Sequence, residues 1–455
     1  MNPDVVVVGA GFAGLAAAVE LSLAGARVLV LEARGRLGGR ATAFEDRETG
    51  LRVDNGQHVL AGCYRETFRF LERVGAADRV ALQPRLEVAF VDGDGRESVL
   101  ACPELPAPWH LAAGVARWSG VSWRDRLPLV RMGWALKPGA ELPPPDETVA
   151  AWLARLGQTS RMIEMLWEPL AVAALNQPIA TAAARPFVRV LSQMFGGGPR
   201  DAALGLTAVP LDEMYAEPAR ALIERRGGEV RLHALARIAV RQRRIVGIEC
   251  RGEPLPMPAA VIAAVPWFGL GGLVRDEDGS LADLLARAAA TEASPIVTVN
   301  AWFDRPILAR AFLGLPGRTM QWAFDTARLR AVDGAGGPAG KPDAGGYHLS
   351  LVSSAAGQIV RQSNEAITAR ALEELRAALP AAREARVLRA TVVREPQATF
   401  SVAPGQPARP STDTPVERLF LAGDWVDTGL PATIEGAVVS GRMAADRVLK
   451  GLRVL

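Results

Sequence analysis

The chain has 455 residues, 49% of them hydrophobic and 22% charged, and carries a formal net charge of +3 from 52 basic and 49 acidic residues. That length supports two or more domains with substantial cores, and so near a charge balance argues against a nucleic-acid partner. The three cysteines, Cys63, Cys102 and Cys250, are scattered without CxxC or Cys/His spacing, so neither a disulfide framework nor a metal site is indicated and a reducing, cytoplasmic setting fits.

Met1-Asn2-Pro3-Asp4 leads directly into Val5 to Val8, which predicts a first strand with no leader ahead of it. Gly9-Ala10-Gly11-Phe12-Ala13-Gly14 follows and opens an alanine-rich helical pattern. This is the spacing of a dinucleotide-binding turn: Gly9 permits the strand-to-helix turn, Gly11 lets backbone approach a pyrophosphate, and Gly14 lets the helix pack on the strand. Unpaired N–H groups at the helix start then meet the phosphates. The second strand, Arg27 to Leu31, ends in Glu32, an acid placed for a free ribose hydroxyl rather than a phosphate. After Ala33 comes Arg34-Gly35-Arg36-Leu37-Gly38-Gly39-Arg40, a loop suited to wrap an anion, although the same composition describes a surface turn.

A helix is expected from Tyr64 to Val74, and strands from about Leu86 to Leu100 around the turn Asp92-Gly93-Asp94-Gly95. Between Trp109 and Trp134 lie four of the ten tryptophans, interleaved with Arg117, Arg124, Arg126 and Arg131. Leu127, Val130 and Trp134 share a helical face there, which suits a membrane interface, the mouth of a lipid pocket, or an internal helical domain that buries them. Pro143-Pro144-Pro145 is a stiff linker, and Asp146 is placed to cap a helix running towards Gly157. Ser160 to Asn176 reads as an apolar helix interrupted by Pro169, Val230 to Ile248 as a hairpin, and Ala260 to Val265 as a buried strand stopped by Pro266. Met257 to Val274 is uncharged, but its prolines and glycines argue against a membrane span. Later come a β-rich stretch from Ile296, an insertion at Ala335 to Gly340, a helix from Asn364 to Leu379, and a final helix from Val438 to Leu449.

The glycine turn alone does not separate a flavin from a nicotinamide. Gly423-Asp424 at a strand end, followed by a loop and a glycine-containing helix start at Gly436, resembles the second FAD signature of the amine oxidase and phytoene desaturase superfamily. Leu37-Gly38-Gly39-Arg40 is similar to the loop that follows the acidic ribose residue there. More specifically, three segments resemble the hydroxysqualene dehydroxylase family: Asp54 to Tyr64, Leu166 to Leu170 with Ala174 to Asn176, and Ala422 to Trp425 with Thr428 to Ala437. The likeness runs from Val5 to the last helix.

That resemblance implies an α/β fold, with a Rossmann-type FAD-binding domain and a discontinuous α+β substrate domain. The former is expected over residues 1–85, 215–275 and 400–455, and the latter over 86–214 and 276–399, with membrane-facing helices near 109–137. FAD would be held by Gly9, Gly11, Phe12, Ala13, Gly14, Glu32, Ala33, Arg34, Gly38, Gly39, Arg40, Gln57, His58, Gly423, Asp424, Ala432, Thr433 and Ile434. Ala236 is a candidate to lie over the adenine or to be a plain strand position. The implied reaction converts hydroxysqualene to squalene for hopanoid synthesis, at the inner face of a membrane, with electrons from an unidentified donor. Loss of a hydroxyl calls for a general acid. His58, Asp427 and Glu435 are the candidates, each with a structural alternative: orienting Gln57 or a flavin oxygen, capping a turn, or a structural hydrogen bond. Trp167, Leu170, Leu175 and Phe195 are candidates for the polyprenyl pocket or for plain core packing. A carotenoid desaturase shares the long apolar substrate. An amine or porphyrinogen oxidase fits less well, because only Lys137, Lys341 and Lys450 are available as lysines.

Overall fold

The computed structural model describes residues 2–137, 139–330 and 345–452, so the expected insertion at Ala335 to Gly340, with Lys341, lies outside the described residues. Val5–Val8 pairs in parallel with Val28–Leu31 on one side and Ala260–Ala263 on the other. Glu229–Arg231 and Leu419–Leu421 complete a five-stranded parallel sheet at its two edges. Every residue of the three central strands is buried, as a sheet covered on both faces requires.

The helix Phe12–Leu23 lies on this sheet, and the last helix, Ile434–Leu452, packs against it. They meet closely at Gly441, where a Cβ would fall 2.2 Å from the carbonyl oxygen of Ala13. The two ends of the chain are therefore one structural unit. The last helix starts four residues earlier than the expected Val438, because the Thr433 hydroxyl accepts the N–H of Gly436 at 3.0 Å and begins the turn.

A second sheet of seven strands faces the carboxyl ends of the first across a cavity. Its order is Val387–Phe400, Ala293–Phe303, Tyr347–Ser353, Trp322–Asp325, Phe312–Gly314, Glu87–Val91 and Glu97–Ala101. The pairing is antiparallel throughout except between Gly314 and Phe90.

Three local expectations need correction. Val230 to Ile248 is not one hairpin: Glu229–Arg231 joins the parallel sheet, His233 turns the chain at φ 52°, and the hairpin is Ala236–Arg241 with Arg244–Cys250. Thr148, not Asp146, caps the next helix, accepting the N–H of Ala151 at 3.2 Å ahead of Val149–Arg155. Pro169 does not interrupt its helix, because a π turn over Ile163–Trp167 widens the backbone just before Glu168–Leu175. Widening makes room for a ring that has no N–H to give to the preceding turn.

The tryptophan-rich stretch forms three short helices, Trp109–Arg117, Trp123–Arg126 and Leu129–Ala135. Trp118 and Met132 are buried beneath them, but Trp109, Trp123, Leu127, Val130 and Trp134 are each 62–66% exposed. An internal helical domain that buries the whole set is not what forms.

Candidate active site

A cavity of about 570 Å³ runs between the carboxyl ends of the parallel strands and the face of the seven-stranded sheet. Ligands of open parallel sheets bind at this end of the strands. At Gly9 the backbone turns at φ 108°, and a Cβ would fall 2.4 Å from the carbonyl oxygen of Ala264. At Gly14 a Cβ would fall 1.9 Å from the carbonyl oxygen of Gly9, so Gly14 packs helix on strand and does not line the cavity. Gly11 differs: its nearest neighbours would be the Cα of Gly39 and the carbonyl oxygen of Gly38, at 3.9 and 4.0 Å. Gly11 precedes the helix without a side-chain cap, which leaves the first N–H groups facing the cavity as an anion cradle.

Glu32 accepts the N–H of Ala10 at 2.9 Å and of Arg34 at 2.8 Å, which fixes its carboxylate in the cavity wall. Arg40 pairs with Asp424 and donates to the carbonyl of Ala398 at 2.9 Å. One guanidinium thus ties the glycine loop to the C-terminal segment and to the seven-stranded sheet. Ala236 lines the same cavity, as do Ala33, Gln57, His58, Gly423, Ala432, Thr433 and Ile434. An uncapped helix start, glycine backbone, an acid at the ribose position and a second helix start at Ile434 fit FAD drawn along the cavity.

The catalytic candidates separate. His58 is half-buried in the cavity wall, with Nδ1 2.9 Å from the carbonyl oxygen of Gly56. A carbonyl only accepts, so Nδ1 carries the proton; burial holds the ring below its ordinary pKa and leaves Nε2 a bare lone pair. Asp427 lies outside the cavity, 58% exposed, and accepts from Arg409 and the N–H of Gly429. Glu435 also lies outside it, because its carboxylate takes the N–H groups of Glu66 and Thr67 and the Thr67 hydroxyl, capping the helix Arg65–Val74. Nor do the four pocket candidates reach the cavity. Trp167, Leu175 and Phe195 are buried in the main hydrophobic cluster, with Leu170 packed against it. From the same helix Ala173 and Ala174 line the cavity, and so does Asn176 at its end.

Several lining residues were not among the site candidates: Asn55 and Asn176, which fall in the family-like segments, and Phe268, Ile296, Val352 and Glu395. Asn55 donates to the carbonyl of Arg40 at 2.7 Å and to Glu395 Oε1 at 3.1 Å, while its own oxygen accepts from Thr42 N at 3.2 Å. Glu395 had no detectable signal, since its partner stands 340 residues away and Pro396 beside it suggests an ordinary turn. Below the loop, Asp54 accepts the N–H of Leu211, and burial raises its carboxyl to about 6.

Two ends of one chain closing on a dinucleotide cradle, under a sheet that supplies an apolar wall, define an FAD-dependent oxidoreductase. The sequence pattern of the flavin containing amine oxidoreductases matches residues 12–449. The chain is 31% identical to hydroxysqualene dehydroxylase of Sinorhizobium fredii and 30% identical to that of Rhodopseudomonas palustris, each over 99% of both chains. It is 28% identical to zeta-carotene desaturase of Synechocystis sp., over 98% of this chain and 97% of that one. Among solved structures, an oxidoreductase from Methanosarcina mazei superposes with a TM-score of 0.73 at 18% identity, covering 97% of this chain and 99% of that one. The chain belongs to the flavin containing amine oxidoreductase family and, within it, to the hydroxysqualene dehydroxylases. It is an FAD oxidoreductase of the squalene and carotenoid desaturase type.

Proposed function

We propose that the enzyme removes the hydroxyl of hydroxysqualene reductively to give squalene. The observation that carries this reading is the cavity wall: Ile296, Val352, Phe268, Ala173 and Ala174 line it, with Asn55, His58 and Glu395 beside the FAD loop and a second polar group at Asn176, Ser354 and Thr399. Apolar side chains with a few placed polar groups suit a hydrocarbon chain that carries an oxygen to be lost. Bound FAD, once reduced, supplies the hydride that replaces the hydroxyl. The protein excludes water, orients the carbon that loses oxygen, and delivers a proton to the departing group. His58, with Nε2 bare, is suited to accept a hydrogen bond from the substrate hydroxyl. An amine oxidase reading gains nothing, because no lysine lines the cavity among the described residues. The test is anaerobic: reduce the flavoprotein, add hydroxysqualene, and follow flavin reoxidation together with squalene. Reoxidation with equimolar squalene is expected. Unchanged substrate would sink the reading, and consumption of a polyene by the oxidised enzyme would favour a desaturase.

The same reading includes peripheral contact with an anionic membrane, from which so apolar a substrate must be drawn. Its support is the exposed row Trp109, Trp123, Leu127, Val130 and Trp134, accompanied by exposed Arg117, Arg124, Arg131 and Lys137. Arg124 and Lys137 sit over the Trp123 and Trp134 rings at 5.5 and 5.0 Å. Asp125, the acid among these helices, is turned to Ser122 and Thr159. Aromatic side chains with basic companions suit the headgroup region. No helix among the described residues is long and apolar enough to cross a membrane.

A further inference from the structure

Dehydroxylation leaves one chemical role unfilled once the expected acids are placed: the group that protonates the departing oxygen. Asp427 and Glu435 lie outside the cavity and are used structurally. His58 has no proton on the nitrogen that is free to face a substrate. Glu32 is committed at the ribose end to two backbone N–H groups, and Asp424 to Arg40. The Tyr64 phenol is held above its ordinary range by burial, which makes it a poor donor.

Glu395 remains. It sits near the end of the long strand Val387–Phe400, in the cavity wall, with Oε1 fixed by Asn55. Oε2 has no partner among the described residues. Asn55 is itself locked by three hydrogen bonds, two of them to the loop that carries Arg40 and Thr42. The carboxyl is therefore anchored to the cofactor loop on one oxygen and open to the cavity on the other. That is the geometry a proton donor needs, since position is set by one oxygen while the second stays available.

We propose that Glu395 is the proton donor to the oxygen that leaves the substrate, with Asn55 as its positioning residue. This rests on the dehydroxylation reading above. The Glu395 O–H proton passes to the hydroxyl oxygen. The C–O bond breaks with its electron pair on oxygen and water departs, leaving an allylic carbon to which bound FAD, when reduced, would supply the hydride. Glu395 is left as carboxylate, to be reprotonated from solvent before the next turnover.

The decisive variant is Glu395→Gln, which keeps the acceptor for Asn55 and removes the acidic proton. FAD content by visible absorbance should match wild type. Squalene formation from hydroxysqualene in single turnover should fall by about 10²–10⁴-fold. An allylic chloride in place of the hydroxyl leaves without a proton, so the variant should reduce that analogue within about tenfold of wild type, an allowance of roughly 1.4 kcal/mol. Infrared difference spectra should show a deuterium-sensitive carboxylic acid band in wild type that is missing from Glu395→Gln, independently of turnover. Wild-type rates on the alcohol in the variant would overturn the assignment, as would equal losses on alcohol and chloride. If wild type itself yields no squalene, the dehydroxylation reading falls and takes the assignment with it.

Discussion

At the scale of single residues, the three glycines of the opening turn do different work. Gly9 and Gly14 are fixed by protein atoms, since a Cβ on either would meet a carbonyl oxygen at 2.4 or 1.9 Å. Gly11 has ordinary room on the protein side, so its smallness serves the cofactor. Gly11→Val should fold, melt within about 1 kcal/mol of the flavin-free parent, and show no flavin absorbance. Gly14→Val should not accumulate as soluble protein. Asp54 makes a pH prediction. Burial raises its folded pKa from 3.8 to about 6, so the folded state holds the proton more tightly than the unfolded chain. The stabilisation is complete below pH 3.8 and is lost as pH climbs to about 6. Asp54→Asn should therefore raise stability above pH 6 by on the order of 2–3 kcal/mol and change little at pH 4, measured by urea unfolding.

At the scale of elements, two helices solve the same problem in the same way. Glu168-Pro169 follows a π turn over Ile163–Trp167, and Glu217-Pro218 follows one over Asp212–Ala216. In both, one wide turn absorbs the proline so that the helix continues. The first ends at Asn176, left-handed at φ 48°, a conformation asparagine tolerates. Its side chain donates to the carbonyl of Ser294 and to the Thr399 hydroxyl, both at 3.0 Å, and accepts from the N–H of Ala355 at 2.6 Å. One residue thus latches a cavity-lining helix to two strands of the seven-stranded sheet. Asn176→Ala should cost about 2–4 kcal/mol in urea unfolding, from two buried hydrogen bonds and one part-buried one lost together. The sequence reading placed Asn176 in a family-like segment but had no means to find its partners, which lie 118, 179 and 223 residues away.

At the scale of the whole molecule, the first and last helices meet at Gly441 and Ala13, which brings both helix starts to one side of the cavity, and the seven-stranded sheet supplies the other. The exposed tryptophan face lies on a separate set of helices. Replacing Trp109, Trp123 and Trp134 together by serine should reduce cosedimentation with anionic vesicles by more than about tenfold and leave squalene formation in detergent intact. Binding by the parent should weaken as salt is raised, because its basic companions act through a screened charge. Unchanged cosedimentation would remove the membrane reading.

Local chemistry made much of this legible in the sequence. A four-valine strand, a glycine turn and an acid at the next strand end announce a dinucleotide cradle through backbone demands that hold wherever the chain goes, and the resemblance of Gly423-Asp424 to a flavin signature narrowed it to FAD. Trp167, Leu175 and Phe195 show the limit: apolar residues satisfy a core and a lipid pocket equally well, and only packing decided for the core. Likewise a carboxylate is a cap, an ion pair or an open acid according to which N–H groups meet it. Glu435 met Glu66 and Thr67, Asp427 met Arg409, and Glu395 met Asn55 with one oxygen to spare. Those meetings join residues from 18 to 369 positions apart, so tertiary structure alone assigns them.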